Sequence, residues 1–177
     1  PEFHAMTTQG KIDFPADYKG SWVVLFSHPA DFTPVCTTEF IALSRMNETF
    51  ESLNTKLIGL SIDSLHSHLG WIKSIEALNF NNEGKVKIPF PIIADISMNV
   101  AKKYGMLQTV ANTQTVRAVF IIDPEGMIRT ILYYPMSTGR NIPEIIRILQ
   151  SLQLNDKTHY STPANWQPGD AVSWGVH

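Results

Sequence analysis

The sequence predicts an α/β fold in which a mixed central sheet is flanked by helices. Apolar runs long enough for buried strands alternate with segments whose apolar residues recur every three or four positions. This succession is typical of parallel β-α-β units. A strong turn signal, Asp123-Pro124-Glu125-Gly126, then separates two further apolar runs and predicts an antiparallel hairpin.

The composition is that of an ordinary globular protein. The 177 residues are 44% hydrophobic, and 14 basic against 16 acidic side chains give a net charge of −2. No long run of like charge is present, so we expect neither a nucleic-acid partner nor a polybasic membrane surface. The longest apolar runs fall well short of the roughly 20 residues that a membrane helix needs. With one cysteine, the chain fits a cytoplasmic protein.

The first half of the chain predicts two consecutive strand-helix pairs. Trp22-Val23-Val24-Leu25-Phe26 is apolar throughout, as in a strand buried on both faces. Asp63 and Ser64 offer capping side chains for the helix that follows the next strand. The predicted elements are short strands and turns over 1–21, a strand over 22–27, a helix over 37–53, a strand over 56–62 and a helix over 65–78.

The second half predicts a hairpin and a final helix. Pro91 places the short extended segment 89–94 at a strand margin, and Gly105 is expected to end a short helix in the left-handed conformation. The other predicted elements are a loop over 106–115, strands over 116–122 and 127–134, and an amphipathic helix over 142–154. A β-α-β half followed by a hairpin and a last helix is thioredoxin-like topology.

From residue 155 onward the hydrophobic period stops. We therefore expect a thioredoxin-like domain over 1–154 and, over 155–177, the start of a C-terminal arm in which the chain stops partway. Four apolar residues of this aperiodic stretch must be buried, either on a partner subunit or on their own domain: Trp166, Ala171, Val172 and Trp174.

Cys36 lies where the strand over 22–27 runs into a helix. The pattern predicts Thr33 as the helix cap, Pro34 at the first helical position and Cys36 in the first turn. Unpaired N–H groups and the helix dipole stabilise an anion there, which favours the thiolate. The Thr33 hydroxyl is expected both to cap the helix and to donate to the sulfur or to an attacked oxygen. A small buried apolar role for Cys36 is the alternative, and the polar first turn favours a working thiol.

The stretch Pro29-x-x-x-Thr33-x-x-Cys36 resembles the active-site signature of the peroxiredoxins. Its surroundings over 26–39 resemble the one-cysteine, peroxiredoxin-6-like branch of that family and its archaeal relatives. The similarity continues through five further stretches: Ile62-Asp63-Ser64, Pro89-Phe90-Pro91-Ile92-Ile93, Val116-Arg117, Tyr134-Pro135 and Thr138-Gly139-Arg140-Asn141.

The resemblance implies a thiol-dependent peroxidase that reduces hydrogen peroxide and organic hydroperoxides. Cys36 would attack the peroxide and become a sulfenic acid. Thr33 and the Cys36 N–H would hold the peroxide, and Pro29 would shield the sulfenic acid from water. Arg117 would stabilise the thiolate and bind the peroxide.

The resemblance also implies a supporting set of residues and no metal or cofactor. Glu39 and Arg140 would orient Arg117. His28 would line the pocket, either with a direct role near the thiol or by packing alone. His66 and His68 point apart on a helix without a third ligand nearby, so we expect them on a solvated face.

Recovery of the sulfenic acid requires a second thiol. With one cysteine, that thiol is an external reductant, such as a thioredoxin-like or glutaredoxin-like protein or a small thiol, or a cysteine beyond His177. The resemblance further implies a homodimer paired through the last strand, and a ring of dimers forming a decamer. Alternative functions are an oligomeric holdase chaperone or a redox sensor. Dithiol exchange is disfavoured because Cys36 is not part of a C-x-x-C motif.

Overall fold

A computed structural model describes residues 1–107 and 114–172 and contains a seven-stranded mixed sheet. The strand order across the sheet is β2-β1-β5-β4-β3-β6-β7. β3 runs parallel to β4 and antiparallel to β6. The strands are β1 (Phe3–Thr7), β2 (Gly10–Phe14), β3 (Trp22–Ser27), β4 (Thr55–Ser61), β5 (Ile92–Ala94), β6 (Arg117–Ile122) and β7 (Ile128–Tyr134).

The described residues form five α-helices. α2 lies against β4, and α3 lies against β5. None of the helices in the described ranges is both long and apolar enough to cross a membrane. The helices are α1 (Pro34–Arg45), α2 (Asn47–Ser52), α3 (Leu65–Ala77), α4 (Asn99–Lys103) and α5 (Ile142–Thr158).

The centre of the sheet is buried on both faces, as its sequence predicts. Every residue of β3 and of β6 is buried, because continuous apolar runs leave no polar face for solvent. The hairpin turn is also confirmed: Asp123 N donates to Met127 O, and Gly126 has φ of 87°. Gly105 has φ of 66° after α4, as a left-handed helix end requires.

The N-terminal segment contributes more than the sequence indicated. β1 and β2 form a hairpin that joins the main sheet, because β1 pairs antiparallel with β5 at Thr7 and Ile93. The rings of Phe3 and Phe14 stack at 5.0 Å and belong to the main hydrophobic core. The sequence predicted short strands and turns here, and the structure adds their pairing with the main sheet.

The predicted helix over 37–53 is two helices. Met46 leaves the helical conformation and separates α1 from α2. Met46 is the single residue between the two helices, so apolar residues still recur every three or four positions across the break. Phe50 of α2 is accordingly fully buried. The helix also begins at Pro34, directly after Thr33 in an extended conformation.

The chain divides into two compact units, residues 1–140 and 141–177. In the second unit, Asn141 caps α5 through a hydrogen bond from Glu144 N to Oδ1, and α5 continues four residues beyond the predicted end. Trp166 is buried, and its indole N–H donates to Asp170 O. Trp174 and most of the predicted loop over 106–115 lie outside the described residues. The predicted division after residue 154 stays a prediction.

Candidate active site

Cys36 lies in the first turn of α1 and has no exposed surface. β3 ends at Ser27, and the loop over 28–33 carries the chain from the sheet to the helix start. Pro34 has no N–H to satisfy, and Thr37 N is the amide that closes the first turn, on Thr33 O. The Val35 and Cys36 amides precede it, so they belong to the helix-start donors that have no partner within the helix.

Thr33 stands at the predicted cap position, but its side chain does not cap the helix. Its hydroxyl instead donates to Ala30 O at 2.9 Å. Thr33 is the N-cap residue of α1 as predicted, but the expectation that its side chain accepts a capping hydrogen bond is wrong, and its proton goes to Ala30 O. Its donation to an attacked oxygen stays a prediction. With its proton used, Oγ1 keeps acceptor capacity, which suits the O–H of a peroxide.

Arg117, the first residue of β6, reaches the sulfur. Its Nη1 lies 3.1 Å from Cys36 Sγ and 2.6 Å from Glu39 Oε1. Its Nε donates to Met136 O at 2.9 Å, so the guanidinium is held from two sides. The antiparallel pairing of β6 with β3 brings residues 81 positions apart into contact.

Glu39 and Arg140 form the buried support of Arg117. Arg140 Nε and its backbone N donate to Glu39 Oε2 at 2.6 and 2.9 Å, and Nη2 donates to Oε1 at 3.0 Å. Arg140 Nη1 donates to the carbonyls of Ser27 and Ala118. Each nitrogen of the Arg140 guanidinium, and its backbone N, therefore has at least one protein acceptor.

The charges of this network do not cancel without the sulfur. Arg117 and Arg140 are buried with Glu39, which leaves one uncompensated positive charge. Burial raises the pKa of Glu39, but the charge and hydrogen bonds of Arg140 outweigh burial and hold that pKa below its usual value. Glu39 is therefore an anion, and the remaining positive charge of the network lies next to Cys36 Sγ.

Pro29 and His28 occupy the loop before the helix, and both are buried. His28 Nε2 lies 2.7 Å from Asp31 Oδ1, and its ring stands against Phe40 and Trp71 at 5.0 and 4.9 Å between centroids. Contact of either residue with the sulfur stays a prediction.

The expectation of a solvated histidine pair on α3 is half wrong. His66 is exposed, but His68 is fully buried and its Nδ1 lies 2.6 Å from Asp31 Oδ2. The signal was present in the sequence, because three- and four-residue spacing puts His68 on the same helix face as the buried Trp71 and Ile75.

Known proteins resemble this chain over most of its length. The AhpC/TSA family matches residues 1–131, and the C-terminal domain of 1-Cys peroxiredoxin matches residues 151–172. A peroxiredoxin from Methanosarcina mazei is 62% identical over 97% of this chain and 80% of its own length. One from Aquifex aeolicus is 53% identical over 95% of this chain and 74% of its own. The chain belongs to the AhpC/TSA family and is a peroxiredoxin.

Two solved structures share the fold. Peroxiredoxin 6 of Arenicola marina is 41% identical with a TM-score of 0.88 and covers 97% of this chain and 79% of its own. The yeast mitochondrial 1-Cys peroxiredoxin is 46% identical with the same TM-score, over 97% and 82% of the two chains. The thioredoxin-like α/β fold is thus confirmed. This peroxiredoxin is a thiol peroxidase, and Cys36 fits its peroxidatic cysteine.

Three backbone partners of the site in this peroxiredoxin were missed. Met136 O accepts from Arg117, and the carbonyls of Ser27 and Ala118 accept from Arg140. Backbone acceptors leave no trace in residue type. The ring of Phe26 lies 5.5 Å from the Arg140 guanidinium carbon, a cation–π contact that also depends on the folded geometry.

Proposed function

We propose that Cys36 reacts as a thiolate that Arg117 both stabilises and aligns, with Arg117 as the group that binds the peroxide. The contact of 3.1 Å between Arg117 Nη1 and Cys36 Sγ carries this proposal. The sulfur attacks one peroxide oxygen, an S–O bond forms and the O–O bond breaks. Sulfur is oxidised to the sulfenic acid, the oxygen is reduced, and the departing oxygen leaves as hydroxide or alkoxide and takes a proton.

The remaining roles follow the charge that this step creates. Negative charge grows on the departing oxygen, so fixed N–H donors near it lower the barrier. The Arg117 guanidinium and the Cys36 amide supply such donors. Thr33 Oγ1, whose own proton goes to Ala30 O, accepts the peroxide O–H and orients it. Buried Pro29 keeps water from the sulfenic acid, and His28 lines the same pocket.

Glu39 and Arg140 are assigned as positioning residues. Both guanidiniums converge on the one carboxylate, which fixes the direction of Arg117 Nη1 toward the sulfur. Neither carboxylate oxygen faces the sulfur in the hydrogen-bond network, so Glu39 acts through Arg117.

An external thiol completes the cycle. The thiol attacks the sulfenic sulfur, water leaves and a mixed disulfide with Cys36 forms. A second thiol then attacks the reductant sulfur of this disulfide, which releases Cys36 as a thiolate and joins the two reductant thiols in a disulfide. Cys36 is the single cysteine of this sequence, so no partner within it can take that role. The yeast structure is described as resolving its thiol through glutathione and thioredoxin systems, which supports a small thiol or a thioredoxin-like protein here.

Mass spectrometry of the intact reduced protein tests this chemistry. After one equivalent of hydrogen peroxide, we expect a gain of one oxygen atom that a sulfenate-specific reagent traps. Adding a small thiol to the oxidised protein should return the original mass. No oxygen gain at Cys36, with peroxide consumed, would contradict the assignment.

We also propose a homodimer that pairs through β7, with dimers joining into a ring. β7 has one strand neighbour, β6, and stands at one end of the sheet order. Ile131 and Tyr133 lie two residues apart, so they share a face, and they are 45% and 56% exposed. The opposite edge, β2, carries Lys11 and Asp13, charges of the kind that protect an edge from pairing.

Ile131→Lys tests the interface. A charge on this apolar face should weaken a β7 dimer and shift the mass measured by light scattering toward the monomer at micromolar concentration. Ile96→Lys is the matched control, because Ile96 is 64% exposed outside β7 and its substitution should leave the mass unchanged. A wild-type monomer at this concentration would refute the proposed dimer.

Location and the C-terminal arm complete the proposal. A cytoplasmic location is supported by an unpaired cysteine, which the reducing cytosol maintains. An arm beginning at residue 155 is supported by the match of the 1-Cys C-terminal domain, which starts four residues earlier.

A further inference from the structure

A second buried polar cluster lies beside the thiol loop. Asp31 contacts both histidines, with 2.7 Å from Oδ1 to His28 Nε2 and 2.6 Å from Oδ2 to His68 Nδ1. Ser67 Oγ donates to the same Oδ2 at 2.9 Å. The side chains of His28 and His68 have no exposed surface, and that of Asp31 has almost none. No step of the proposed reaction uses His68.

The surroundings of His68 determine where its protons lie. Its Nε2 is 3.0 Å from Ile93 O, which can only accept, and its Nδ1 faces the Asp31 carboxyl. Both contacts are satisfied only if His68 carries two N–H groups or if Asp31 carries the proton. Burial raises the pKa of Asp31, but hydrogen bonds from His28 and His68 outweigh burial and hold that pKa well below its usual range. Ser67 Oγ also donates to Oδ2 of Asp31, so the contact geometry points to an N–H on each nitrogen of His68, one toward Asp31 and one toward Ile93 O.

His28 then has one N–H and one bare nitrogen. Its Nε2 donates to the carboxylate, while its Nδ1 is buried without a hydrogen-bond partner among the described residues. Burial lowers the pKa of His28, and the nearby charges of His68 and Arg140 act in the same direction. Asp31 acts against them, and its own amide donates to Asp63 Oδ2.

We propose that His68 is a positioning residue of the peroxidase site: as a buried imidazolium paired with Asp31, it keeps His28 neutral and its Nδ1 free of a proton. This rests on the proposed function, in which His28 lines the thiol pocket. If the positive charge of His68 were removed, the Asp31 carboxylate would draw a proton onto His28. The acceptor at Nδ1 would then become a donor.

The proton assignment is tested on the wild-type protein without any turnover. Long-range proton–nitrogen NMR of the reduced enzyme, labelled with ¹⁵N-histidine, separates singly from doubly protonated rings. We expect His68 to be protonated on both nitrogens and His28 on Nε2 alone near neutral pH. A singly protonated His68 would overturn the proposal, and this result does not depend on whether the proposed peroxidase mechanism holds. Zinc retained by the purified protein would also overturn it, because a cation would replace the shared protons.

His68→Gln tests the consequence for the reaction, with His66→Gln as the matched control on the exposed face of α3. In His68→Gln we expect His28 to gain a proton at Nδ1 and the fluorescence of Trp71 to fall, because the imidazolium would stand 4.9 Å from its ring. The rate constant with peroxide should acquire an acidic limb of about tenfold per pH unit. His66→Gln should keep the wild-type profile. An unchanged pH profile of the rate constant in folded His68→Gln would overturn the positioning role. If this variant does not fold, the histidine NMR spectrum of the wild-type protein decides the proposal.

Discussion

Replacing Cys36 with serine is expected to reduce peroxide consumption to the uncatalysed rate. The hydroxyl that takes the place of the thiol is a far weaker nucleophile at neutral pH, and no other cysteine exists in the sequence. Loss of a catalytic nucleophile costs on the order of 10⁴-fold or more. The measurement is steady-state removal of hydrogen peroxide with excess small thiol, for wild type and variant at equal concentration.

Thermal unfolding of Cys36→Ser is the control that shows whether the variant is folded. Serine is close to cysteine in size, and Arg117 can donate to its oxygen, so thermal unfolding should stay near that of wild type. Cys36→Ala adds a second replacement that cannot accept a hydrogen bond. Undiminished turnover in either folded variant would remove Cys36 from the mechanism.

Replacing Arg117 with alanine is expected to slow the peroxide step by about 10²- to 10³-fold. The substitution removes the donor 3.1 Å from the sulfur and the positive charge that compensates a thiolate. It also leaves Glu39 with Arg140 as its remaining ionic partner. The second-order rate constant from stopped-flow mixing with peroxide reports this step, and the ultraviolet absorbance of the thiolate reports its population.

Two further variants separate geometry from charge. Arg117→Lys keeps the charge but cannot donate in the fork that reaches Met136 O and Glu39 together, so we expect an intermediate rate. Arg45→Ala removes the same charge from a surface pair with Glu83 and should leave the rate unchanged. A wild-type rate in Arg117→Ala would exclude this arginine from peroxide binding.

The sequence predicted the parts of the fold that local patterns encode. Buried strands β3 and β6 and the cap of α3 at Ser64 follow from apolar runs and side-chain chemistry. Arg117 was found because the motif resemblance identified it, although its distance from Cys36 in the chain is 81 residues. Local periodicity alone does not predict this contact, because it depends on the pairing of β6 with β3 in the sheet.

The missed features depend on contacts between distant segments. The hairpin of β1 and β2 joins the sheet through a single register pair with β5, which no local pattern encodes. The Thr33 hydroxyl donates to Ala30 O, a contact set by the folded loop over 28–33 and not by residue type. His68 was assigned to the surface because a polar residue type outweighed its position on a buried helix face.

The uncompensated positive charge beside Cys36 has a consequence for the oxidised enzyme. Under the proposed function, oxidation replaces a thiolate by a neutral sulfenic acid, and the charge of Arg117 and Arg140 against Glu39 is then left without its anion. The oxidised site would attract a reducing thiol in its thiolate form. The same positive charge would also stabilise the sulfinate anion that a second peroxide creates. The charge that speeds reduction would therefore also favour overoxidation.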